Sequence, residues 1–135
     1  MKTFNRDADP GEHVYYSDAV EANGMLFVSG CVPYDENDRL IGPGDPELQF
    51  AATLDNLERT LNLAGYELSD LVKLNIYLTD IRDIPAMREP RRLRFGDRVR
   101  PATTLVEVSG LLAPGVFVEA DAIAVRGGGA AAVGE

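Results

Sequence analysis

Residues 45–78 read DPELQFAATLDNLERTLNLAGYELSDLVKLNIYL, and a change of period inside this stretch decides the fold. Phe50, Leu54, Leu57, Leu61 and Ala64 recur at steps of four and three, which makes one continuous helical stripe. Asp45 is placed to cap that helix, because its carboxylate can accept from the unpaired N–H groups of the first turn. Pro46 opens it at a position where a missing N–H costs nothing, and Gly65 closes it. From Leu71 the period drops to two. Val72, Leu74, Ile76 and Leu78 share one face, while Lys73, Asn75 and Tyr77 share the other. A helix feeding a one-sided strand predicts a sheet covered by helix on its apolar side.

Upstream, Val14 to Ala22 and Met25 to Val32 read as two strands around Asn23-Gly24, the pair that a tight hairpin turn with two positive φ angles demands. Downstream, Asp83 is placed to cap a second helix, with Pro85 in its first turn and a kink or restart at Pro90. Thr103 to Val108 and Val116 to Val125 then read as a second hairpin. The order is strand, strand, helix, strand, helix, strand, strand. It predicts an α+β domain, a mixed β-sheet with two helices packed on one face. One domain is expected over residues 1–126, followed by a flexible glycine-rich tail at 127–135. In the last strand Val116, Val118, Ala120, Ala122 and Ala124 share one face, and Phe117, Glu119, Asp121 and Ile123 the other. The second face of the sheet, with Tyr77, Phe117 and Ile123 around these acids, is half apolar, as a subunit interface containing polar groups would be.

The 135 residues carry 22 acidic and 13 basic side chains, a formal charge of -9. That sign argues against a nucleic-acid partner, which would need clustered Lys and Arg for phosphates. Seven of the basic residues nevertheless fall between Arg82 and Arg100, a local ridge suited to a small anion or to a solvated helix face. No apolar run reaches the roughly 18 residues of a membrane span, and MKTFNRDADPGEH contains no apolar h-region. A soluble cytoplasmic protein is the expectation. Cys31 and His13 are single, so one chain can build neither a disulfide nor a Cys/His metal site. Cys31, in an apolar strand, reads as buried and inert. A phosphate loop and a nucleophile elbow are both missing, so no cofactor and no metal are expected.

Glu119 and Asp121 stand two apart in one strand and project from one face, where paired carboxylates can share acid and base work or bind arginine across an interface. Gly30, after Ser29, permits close approach to the backbone or marks a bulge. Tyr16 can cap a ligand with its ring or its hydroxyl, or serve as core or interface.

The stretches YYSDAV, NGMLFVSGCVPYD, NLERTLNLAGYELSDLVKLNIYLTDI and RPATTLVEVSGLLAPGVFVEADAIAV, in this order and spacing, resemble the Rid family, also called YjgF or L-PSP. The resemblance implies a chorismate-mutase-like fold and a homotrimer with small-molecule clefts between subunits. It also implies hydrolysis of enamines or imines to keto acids and ammonia. Carried over by position, Tyr16, Ser29 and Gly30 would line the cleft and Glu119 would position water. The family's carboxylate-gripping arginine is absent, for Pro101-Ala102 is followed by Thr103. Thr103 and Thr104 are then expected to offer hydroxyls to the substrate, and Arg88 to supply the missing cation, with Arg91 or Arg92 as alternatives. A change of substrate, toward a pathway-specific C–N compound, is the expected consequence. The competing expectations are a non-catalytic trimer that binds a small molecule or a partner and, less favoured on charge, a ribonuclease.

Overall fold

The computed structural model describes residues 1–7 and 15–127. Strands β1 (Lys2–Phe4), β2 (Ala19–Ala22) and β3 (Met25–Cys31) precede helix α1 (Pro46–Leu63). Strand β4 (Leu71–Leu78), helix α2 (Arg88–Phe95), β5 (Ala102–Glu107) and β6 (Val118–Val125) follow. They build one six-stranded sheet in the order β1-β2-β3-β6-β4-β5, antiparallel except where β4 runs parallel to β5. The expected mixed sheet with two helices is present, and β1 is an additional edge strand.

Helix α1 forms as its stripe predicts. The Asp45 side chain accepts from Leu48 N at 3.1 Å, and Phe50, Leu54, Leu57 and Leu61 are buried. The first hairpin also forms, with Asn23 and Gly24 at φ of 54° and 74°. Its first strand begins at Ala19, later than the apolar run suggested; Val14 lies outside the described residues, as do His13 and all of the expected tail except Gly127.

Two expectations about the sheet are corrected. In β4 the buried residues are Leu71, Leu74, Ile76 and Leu78, because a bulge at Val72 shifts the register against β6. The second hairpin does not form. β6 lies between β3 and β4, and β5 pairs with β4 alone. The reason is in the side chains. Val118, Ala120, Ala122 and Ala124 are a continuous buried row, small enough for α1 to lie close above it, and a strand of that kind belongs in the middle of a sheet. β5 has only Leu105 against the core and is otherwise exposed, so it occupies an edge.

The second helix region is in two parts. Asp80, rather than Asp83, caps a 3-10 turn over Ile81–Met87, accepting from Arg82 N at 2.9 Å. The α-helical part restarts at Arg88, so Pro90 falls in a first turn, where its missing N–H is tolerated.

Candidate functional site

The β6 register places Glu119 beside Tyr77 and Asp121 beside Asn75, all on the face away from the helices. Phe27, Ile123 and Val106 share that face, and Phe27 and Val106 are 43% and 40% exposed. The two carboxylates are in different situations. Asp121 accepts from Asn75 Nδ2 at 2.7 Å and from Tyr77 Oη at 2.7 Å, so it is held at both oxygens. That bond, with burial second, pushes the Tyr77 phenol up to about 12. Glu119 has no hydrogen-bond partner among the described residues and is only partly exposed. Burial, and then the charge of Asp121, raise its pKa above the ordinary glutamate value.

Gly30 meets Glu119 directly. Ser29 and Gly30 form a bulge in the β3–β6 pairing, between Val28↔Ala122 and Cys31↔Ala120. A Cβ on Gly30 would lie 2.6 Å from Glu119 Oε1 and 2.8 Å from its carboxyl carbon, so the space the carboxylate occupies exists because residue 30 has no side chain. Ser29 fixes the bulge to the preceding segment: its N–H donates to Asp18 O at 2.9 Å and its hydroxyl to Ser17 O at 2.6 Å. That segment carries Tyr16, which is 65% exposed and lines a separate groove of about 910 Å³ with Asn56 and Arg59. One chain thus brings Gly30 to Glu119 but leaves Tyr16 apart from them. Cys31 is buried, and burial pushes its thiol up to about 12, which fits the inert reading.

Thr103 and Thr104 fall on opposite faces. Thr104 pairs with Asn75 on the Glu119 face, where its hydroxyl accepts from Lys73 Nζ at 2.8 Å. Thr103 pairs with Leu74 on the helix face. Its hydroxyl donates to Pro101 O at 2.9 Å and accepts from Arg91 Nη2 at 3.3 Å. Of the three arginines considered for the missing cation, Arg91 is the one at Thr103. Arg88 is exposed and makes no hydrogen bond or ion pair among the described residues. Arg92 is paired with Glu89 at 2.5 Å.

Residues 7–126 match the family model described as Endoribonuclease L-PSP. The chain belongs to the Rid/YjgF (L-PSP) family. A RutC family protein of Pyrococcus horikoshii is 38% identical over 111 residues, 82% of this chain and 86% of that one. The 3-aminoacrylate deaminase RutC of Acinetobacter baylyi is 33% identical over 109 residues, 81% of this chain and 85% of that one. Among solved structures, E. coli TdcF with bound serine superposes with a TM-score of 0.82 at 26% identity, covering 93% of this chain and 99% of that one. A YjgF/YER057c/UK114 family member from Mycobacterium tuberculosis gives 0.77 at 31% identity, covering 92% and 98%.

The anchoring of Asp121 by Asn75 and Tyr77 escaped the sequence reading. Alternation had placed Asn75 and Tyr77 on one face, but the hairpin reading put β5, not β4, beside β6. Among the described residues no cluster of three or more His, Cys, Asp or Glu is placed to hold a metal ion. No described helix is long and apolar enough to cross a membrane.

Proposed function

We propose that the protein hydrolyses the C–N bond of a small enamine or imine, in a cleft completed between the subunits of a homotrimer. The observation that most supports this is Glu119: a partly buried carboxylate, unpartnered, with a raised pKa, in space left open by a glycine. Such a group can take a proton from water and return it. An enamine first tautomerises to the imine, its N–H proton being exchanged for one on carbon. Glu119 then accepts a proton as water adds to the imine carbon and returns it to the nitrogen, giving a carbinolamine. Collapse to the carbonyl then breaks the C–N bond and expels ammonia. One water is consumed, and neither oxidant nor reductant enters the balance. The relative named 3-aminoacrylate deaminase and the serine bound by TdcF favour a small amino-acid-derived substrate.

The trimer is supported by placement. Glu119 and Thr103 project from opposite faces of one sheet, so a single copy cannot bring them to one substrate. A second copy against the half-apolar face would bury Phe27 and Val106 and enclose Glu119. Tyr16, Ser29, Gly30, Thr104 and an arginine would line the cleft, with Thr103 at its anionic end.

A non-catalytic trimeric binder is the second reading. It is favoured by Thr103, whose only proton is committed to Pro101 O and which therefore presents no donor to a substrate. Enamines generated in place by a threonine dehydratase separate the two readings. Ammonia release above the buffer rate, lost in Glu119→Gln, supports hydrolysis; ligand binding without ammonia release supports the binder.

A further inference from the structure

We infer that Arg91 and Arg88 form an anion seat at the free edge of the sheet, one that takes a doubly charged oxyanion group in preference to a single carboxylate. This rests on reading Glu119 as the reaction centre, since the seat then holds the far end of the same substrate. Arg91 carries five N–H donors, and its one hydrogen bond among the described residues is to a neutral hydroxyl, Thr103 Oγ1 at 3.3 Å. Because the Thr103 proton goes to Pro101 O, its lone pair faces the guanidinium and orients it. Arg88 lies three residues earlier on α2, on the same helix face, and has no partner among the described residues.

The other arginines of the 3-10 turn and of α2 are different. Arg82, Arg92 and Arg94 are neutralised by Asp80, Glu89 and Asp55 at 2.7, 2.5 and 2.8 Å. In a chain of net charge -9, two arginines three residues apart on α2, neither with a carboxylate partner among the described residues, are a local surplus of positive charge. β5 is an edge strand with only β4 beside it, so the space next to Thr103 is open to a ligand or to a neighbouring copy. Two guanidiniums three residues apart on one helix face can each offer a planar fork to the oxygens of a phosphate monoester or of a dicarboxylate, both of which are dianions.

Calorimetric titration of the full-length protein with malonate, inorganic phosphate and acetate tests the seat without requiring turnover. Malonate, phosphate or both should bind at least about tenfold more tightly than acetate. Whichever dianion binds identifies the substrate group as dicarboxylic or phosphorylated. Arg91→Ala and Arg88→Ala should each remove that preference. Arg91→Lys, which keeps the charge but not the fork, should also weaken it. Lys2→Ala, at the opposite edge of the sheet, should leave it intact. Equal binding of acetate and the dianions would overturn the inference, as would equal losses in Lys2→Ala and Arg91→Ala. Absence of ammonia release would count against hydrolysis at Glu119 and leave this binding result unchanged.

Discussion

At the scale of the residue, Gly30 and Asp121 set the state of Glu119, one by the space it leaves and the other by its charge. In Gly30→Ala the new methyl would overlap Glu119 Oε1, so the carboxylate must swing away. Ammonia-releasing activity should fall on the order of 100-fold, because a shift of about 1 Å at a catalytic group costs that much. The thermal midpoint should move little, since Gly30 is exposed and its φ is not positive. The pH dependence has a definite sign. Glu119 has a raised pKa in the folded state, from burial first and Asp121 second. Its stabilising contribution is present at acid pH and is lost as pH climbs from the ordinary glutamate range through the raised value. Glu119→Gln should lack that loss in denaturant titrations across the window. The rate should change in the opposite sense, rising with pH as Glu119 ionises. Asp121→Asn should carry the rise to lower pH, and an unmoved or upward-shifted profile would contradict this assignment.

At the scale of the element, α1 holds loops together as well as forming core. Gln49 is fully buried. Its amide donates to Gly42 O and Gly115 O and accepts from Phe117 N, joining two loops to the start of β6. Gln49→Ala should cost about 2–4 kcal/mol in urea unfolding, from lost bonds and unpaired buried groups. One turn on, Thr53 Oγ1 is buried with no partner, so Thr53→Val should stabilise by about 1 kcal/mol. Helix α1 was legible because its apolar stripe and both stops are local. The sheet order was not. Nothing near Thr103 or Val116 records that β6 must lie under α1, and that pairing depends on contacts with β3, far away in the chain. The carboxylate pair was legible as a pair, whereas the division of roles needed Asn75 and Tyr77 from a strand whose partner was misread. Arg91 was one of several candidates because the 3-10 turn ahead of α2 sets the helix phase, and two prolines obscured it.

At the scale of the molecule, the proposed second copy would cover the half-apolar sheet face and bring one chain's Thr103 toward another's Glu119. Sedimentation at micromolar concentration should give a species of three times 14.7 kDa. Substituting Phe27 and Val106 by Asp together should reduce it to monomer and abolish turnover while leaving the sheet intact by circular dichroism. The proposed chemistry depends on that assembly and on one carboxylate within it. The most direct measurement is ammonia release from dehydratase-generated enamine by wild type and by Glu119→Gln, each confirmed as trimer. The account predicts release well above the buffer rate for wild type and a loss of at least about 100-fold in the variant. Equal rates in the two proteins, or a wild-type rate no faster than buffer, would contradict it.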